Sequence, residues 1–137
     1  MPYDDNLIVL HEKLGKYSPT ISKLFVNKDI YFKGTPPVNY INASPIIFED
    51  LKQEFIASIA PKPVSFENFW QMIIERRVSV IVMLTDLQEG ARVKSDQYWP
   101  DREDETRDIG GGISLKHESS QYQGVFLTRK VLVRVLV

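Results

Sequence analysis

The sequence predicts an α/β domain, and three observations carry that prediction. Phe66, Phe69, Trp70, Ile73 and Ile74 recur at helical spacing. Val78 to Leu84 is a near-continuous β-branched run, and the segment from Ile113 to the C-terminus alternates apolar with polar residues.

The chain has 137 residues, enough for one small domain or part of a larger one. With 43% hydrophobic and 11% aromatic residues it can build a packed core, unlike a disordered chain. Seventeen basic and 18 acidic residues leave a net charge of -1. No long-range attraction to nucleic acid or to an anionic membrane is expected from that balance. There is no cysteine, which excludes a disulfide, a thiolate zinc site or a cysteine nucleophile among these residues. Met1 to Leu10 lacks the basic-then-apolar pattern of a signal peptide. The longest apolar run, Val80 to Leu84, is far too short to span a bilayer. A soluble, cytoplasmic protein is the default expectation.

Taken in order, Leu7 to Leu10 reads as a short strand. Residues 11–37 are an irregular excursion broken by Gly15, Pro19, Gly34, Pro36 and Pro37. Val38 to Ala43 and Glu54 to Ala57 read as strands with a polar connection between them. Ser65 is placed to cap the helix, Glu67 lies in its first turn, and Arg76 and Arg77 close it, as the helix dipole favours. Val78 to Leu84 follows as a strand expected to be buried on both faces. Asp101 to Gly112 reads as a polar loop. Ile113 to His117, Tyr122 to Leu127 and Lys130 to Val137 read as three strands of a meander. The last of these is still apolar at the terminus, which raises the expectation of a truncated domain.

Seven segments carry a family resemblance. Tyr40-Ile41-Asn42-Ala43-Ser44 resembles the "YINAS" strand of protein tyrosine phosphatases, and Phe55 to Pro63 is similar to their "FIATQGPKP". Phe69-Trp70-Gln71-Met72 resembles "FWRM", and Val78 to Thr85 resembles "VSVIVMLT". Glu89 to Pro100, which includes Lys94, Gln97, Tyr98, Trp99 and Pro100, is similar to "EKGRVKCDQYWP". Pro2-Tyr3-Asp4 resembles "PYD", and Arg129-Lys130 resembles the "RK" before a late strand. The matches run in the family's order over nearly the whole chain, residues 11–37 excepted.

The resemblance implies a twisted mixed sheet flanked by helices, of which this chain would supply roughly the first half as an incomplete domain. It also implies removal of phosphate from phosphotyrosine in two steps, by thiolate attack and then hydrolysis. The family's thiolate and arginine lie in an "HCSAGxGR" loop at a helix N-terminus, and its acid lies in a "WPDxG" loop. Neither loop is found here. The expectation is therefore a protein without catalytic residues of its own, inactive as it stands. Two alternatives remain open: a fragment of an active phosphatase, and a binding module. No cofactor is implied. A phosphotyrosine-signalling protein is the partner class the resemblance suggests, and self-association or aggregation is expected from unpaired apolar strands.

Four features imitate other chemistry. Trp99-Pro100-Asp101 spells the acid motif, but Gln97-Tyr98 before it and Arg102-Glu103 after it mark a structural element, so Asp101 is expected to be a loop residue. Ser95 stands where the family has a cysteine and Ala91 where it has a glycine. Glu89 and Lys94 match a family glutamate and lysine and, without their usual partners, are expected to be surface charges. His11 and His117 lack the spacing of a metal pair. Gly110-Gly111-Gly112 lacks the lysine and hydroxyl residue of a phosphate cradle and reads as a turn.

Overall fold

The computed structural model describes Ile8, Val9 and residues 40–135. Its elements are β1 (Ile8–Val9), β2 (Tyr40–Ile41), β3 (Ala43–Phe48), β4 (Gln53–Ser58), α1 (Phe66–Glu75), β5 (Gln88–Glu89), β6 (Arg92–Val93), β7 (Thr106–Gly110), β8 (Ile113–Gln123) and β9 (Phe126–Val135). Short 3-10 turns cover Glu49–Leu51 and Pro63–Ser65. Among the described residues all pairings are antiparallel: β1 with β2, β3 with β4, β5 with β6, and a three-stranded sheet in the order β7-β8-β9. The expected excursion over residues 11–37 lies outside the described residues, as do Leu7, Leu10 and the last two residues of the expected terminal strand.

Helix α1 forms where its apolar spacing predicts. Phe69, Trp70, Met72 and Ile73 are buried, with Phe66 and Ile74 packed at the edge. Gln71 is buried too, and its amide donates to the Glu75 carboxylate at 2.8 Å, which satisfies the polar end in place. Ser65 occupies the N-cap without bonding a helix N–H. Its hydroxyl instead exchanges 3.0 Å hydrogen bonds with the Lys62 main chain. The helix ends in a Schellman arrangement: Val78 N donates to Ile73 O at 3.0 Å and Arg77 N to Ile74 O at 3.1 Å. Arg77 holds the left-handed position at φ 52°, where glycine is the usual occupant.

The hairpins follow from their turn residues. Gly110 pairs with Ile113 across Gly111 and Gly112, whose φ values of 58° and 77° suit a two-residue turn between right-twisted strands. On β8, Ile113, Leu115 and His117 alternate inward and are buried, while Ser114 and Lys116 are only partly covered. The β8–β9 register shifts between His117 and Ser119, leaving Glu118 as the extra residue of a bulge. Its carboxylate meets Lys130 Nζ at 2.9 Å. Beyond the bulge the hairpin stands clear of the core, with Tyr122, Val125 and Phe126 exposed.

Three expectations need correction. Tyr122 to Leu127 is not a separate strand. Gly124, at φ 63°, and Val125 turn the chain, so two long strands replace the expected three. Within the expected polar loop, Thr106–Gly110 is strand β7, because Ser114, Leu115 and Lys116 of β8 pair with its Asp108, Arg107 and Thr106. Val78 to Leu84 pairs with nothing among the described residues and is not a buried strand. Val80, Val82 and Leu84 are 72%, 73% and 91% exposed. The run's composition calls for cover on both faces, yet only Val78 and Met83 pack against the core.

Candidate functional site

Most of the residues singled out by motif converge on one aromatic clasp. Trp70 of α1 donates from Nε1 to the Tyr98 carbonyl at 2.8 Å, both groups being buried. Tyr98 packs edge-on against Phe69 and Trp99, with centroids 5.0 and 4.9 Å away. Pro100 is fully buried beside them. Gln97 reaches the Trp99 carbonyl at 3.3 Å, and Arg107 of β7 donates to the Gln97 carbonyl at 3.0 Å. On the outer side the Arg129 guanidinium lies 5.0 Å from the Trp99 ring centre, a cation–π contact. Burial pushes the Tyr98 phenol above its ordinary pKa, with Arg129 opposing the shift.

Tyr40, Asn42 and Ala43 tie the first hairpins to this clasp. Asn68 of α1 donates to the Tyr40 carbonyl at 3.2 Å. The Asn42 carbonyl accepts from Ser58 Oγ at 3.2 Å and from Ile59 N at 3.4 Å, and Ala43 is buried in the core. These motif positions therefore hold elements together. Sequence reading missed Asn68, Arg107 and Arg129 as fasteners. A charged side chain on a strand carries no signal of which distant ring or carbonyl it will meet.

Glu89 and Lys94 sit apart from the clasp. The β5–β6 hairpin brings their side chains to 3.2 Å, so the two charges pair with each other while remaining substantially exposed. Asp101 is a turn residue. It accepts from Gln97 Nε2 at 3.3 Å, while Glu105 Oε2 takes the N–H groups of Asp101 and Arg102, each at 2.9 Å. Two carboxylates thus share one exposed turn. Asp104, in the left-handed region at φ 64°, bonds Lys116 Nζ at 2.8 Å, and this contact holds its carboxyl below the ordinary range.

His11 lies outside the described residues. His117 is buried, and its Nε2 lies 2.7 Å from Ser120 Oγ. A hydroxyl and an imidazole at that distance resemble a nucleophile and its base, but two requirements fail. Nδ1 has no hydrogen-bond partner to orient the ring. The Ser120 N–H is taken by Glu103 at 2.7 Å, which brings a carboxylate to where developing negative charge would need donors. The glycine turn is likewise no phosphate cradle. A Cβ on Gly111 would strike the Glu67 carboxylate, whose charge repels an anion. No group of acidic and histidine side chains among the described residues could hold a metal.

One groove of about 1000 Å³ opens between β4, α1 and the unpaired run. Phe55, Ile59, Met72, Val80 and Val82 line it, with Arg76 at its edge. Burial lowers the Arg76 guanidinium pKa against the pull of Glu54, 3.6 Å away. Ser58, Ser79 and Thr85 also line it, and no histidine among the described residues does.

A helix clasped by a Tyr-Trp-Pro segment and joined to antiparallel hairpins defines the framework of a phosphatase-type domain. The protein-tyrosine phosphatase family model matches residues 1–135, and the chain belongs to that family. It is 46% identical over 70 residues to the tyrosine-protein phosphatase Lar-like of Caenorhabditis elegans, covering 51% of this chain and 3% of that protein. It is 47% identical over 73 residues to receptor-type tyrosine-protein phosphatase F of Danio rerio, covering 53% of this chain and 4% of that protein. It is also similar to human receptor-type tyrosine-protein phosphatase alpha, at 44% over 70 residues, or 51% of this chain and 9% of that protein. The matched stretch is thus less than a tenth of each relative's length. No helix among the described residues is long and apolar enough to cross a membrane.

Proposed function

We propose that these residues are a framework portion of a phosphotyrosine phosphatase domain, and that the 137-residue chain does not itself hydrolyse phosphate esters. One observation carries the reading: the chain contains no cysteine. Thiolate attack on phosphorus therefore has no atom to perform it, and the hydroxyl alternative at Ser120 lacks an oriented base. The motif positions Tyr40, Asn42, Ala43, Trp70, Gln97, Tyr98, Trp99 and Pro100 serve folding, because their contacts are core packing and main-chain hydrogen bonds. A phosphotyrosine-signalling protein is the partner class for such a framework. The test is turnover of a chromogenic aryl phosphate by the pure chain. A rate equal to buffer supports the reading, and vanadate-sensitive, saturable hydrolysis overturns it.

A second reading is favoured by the Glu89–Lys94 pair, already assembled at 3.2 Å on its hairpin. Within a longer polypeptide carrying a cysteine loop, the same residues would frame an active site, with Glu89 available to an arginine. Turnover by such a polypeptide, reduced by Glu89→Ala at unchanged stability, would support it. Activity indifferent to Glu89 would remove it.

A further inference from the structure

We propose that Tyr122 is a phosphoryl-acceptor site, taking phosphate from a nucleoside triphosphate delivered by a tyrosine kinase, and that Arg129 then holds the phosphate. The proposal stands on the geometry of the β8–β9 hairpin and is independent of the catalytic reading.

The first observation is access. Of the tyrosines among the described residues, Tyr98 is 6% exposed and Tyr40 is partly buried, whereas Tyr122 is 76% exposed. It sits on the part of the hairpin that stands clear of the core, and no side chain from Ser119 to Thr128 carries a charge. No carboxylate within that stretch repels an incoming triphosphate.

The second is an open main chain. β7 pairs with β8 only as far as Lys116, so beyond the bulge β8 has β9 on one side and no strand on the other among the described residues. Ser120 N points to that open side, where the Glu103 carboxylate accepts from it at 2.7 Å. Tyr122, two residues further on, presents its own N–H and C=O to the same side. An enzyme that reads its substrate as an extended strand can pair with them.

The third is an unpaired cation. Ser120 and Tyr122 share a face with Arg129 and Leu127, which lie opposite them on β9. Arg129 rests over the Trp99 ring, is exposed, and has no ion-pair partner among the described residues. It is the diagonal neighbour of Tyr122, a separation that long side chains bridge. Phosphotyrosine carries nearly two negative charges and three acceptor oxygens, which a guanidinium binds through two N–H groups. The neighbouring carboxylates are engaged elsewhere, Glu103 on the Ser120 N–H and Glu118 on Lys130 at 2.9 Å. In the transfer, the phenol oxygen bonds the γ-phosphorus as the bond from that phosphorus to the bridging oxygen breaks. The nucleoside diphosphate leaves, and the phenolic proton passes to the kinase's base.

The test incubates the full chain and Tyr122→Phe with magnesium ATP and a tyrosine kinase catalytic domain, and locates phosphate by peptide mass mapping. Phosphate is expected on Tyr122 of the folded chain and not on Tyr98, and the variant should lose it. Phosphorus NMR then follows the second ionisation of the Tyr122 phosphate, ordinarily near about pH 6. The midpoint should lie lower in the unaltered chain than in Arg129→Gln, by about 0.3 pH unit or more, with Arg129→Lys between them. Far-ultraviolet circular dichroism establishes that the variants share one fold. No phosphate on Tyr122, phosphate there only after unfolding in urea, or a midpoint unchanged by Arg129→Gln would each overturn the proposal.

Discussion

The Trp70 indole N–H bonds the Tyr98 carbonyl at 2.8 Å, across 28 residues of sequence, and this contact fastens helix α1 to the Tyr-Trp-Pro segment. Trp70 is 3% exposed and touches Phe69 and Tyr98 as well, so it contributes apolar burial and a hydrogen bond at one position. Trp70→Ala should lower unfolding free energy by about 3–5 kcal/mol through loss of the ring. Trp70→Phe keeps much of the packing but strands the carbonyl, at about 1–3 kcal/mol. Urea melts of both variants check the order. Equal costs would mean that the hydrogen bond contributes little.

The Tyr98 phenol gives an alkaline signature. Burial raises its pKa in the folded state, so the folded chain holds this proton more tightly than the unfolded chain. Its contribution is fully present below the unfolded pKa of about 10 and is lost as pH rises through the folded value. Melts at about pH 9 and about pH 11 should show a fall in stability that Tyr98→Phe makes shallower. An unchanged slope in that variant would assign the fall to other groups.

Arg77 supplies a stabilising substitution. A side chain at φ 52° crowds its own main chain, and glycine relieves the crowding while adding freedom to the unfolded state. Arg77→Gly should gain about 0.5–1 kcal/mol. The measurement belongs at high dilution, where self-association cannot contribute. A loss of stability would show that the arginine makes a compensating contact.

Gly111 predicts the opposite sign. Its φ is 58°, and a methyl group there would meet the Glu67 carboxylate. Gly111→Ala should cost about 1–2 kcal/mol from the backbone alone, with more from the clash. Glu67→Ala in the same chain should recover the clash but not the backbone strain. A full recovery would mean that the left-handed turn is not maintained.

The helix was legible in the sequence because it follows from a local signal, the apolar spacing in residues 66–74, whereas its clasp by Tyr98, 28 residues away, was not. The hairpin ends were less legible. Gly124 sits inside an apolar run, so Tyr122 to Leu127 resembles one strand although the chain turns there. β7 was hidden because Thr106, Arg107 and Asp108 are polar, and only pairing with β8 makes them a strand. Val78 to Leu84 shows the limit of composition most clearly. β-branched residues report that a surface needs cover, but they do not name what covers it. The pairing of Glu89 with Lys94 depends on a hairpin turn whose geometry the residue types only suggest.

Intact-mass spectrometry of the pure chain, quenched during incubation with an aryl phosphate, tests the central claim most directly. A polypeptide without a thiol should show only its unmodified mass at every time point. A phosphoryl adduct that forms and decays with substrate would prove that some other side chain attacks phosphorus, and would contradict the account.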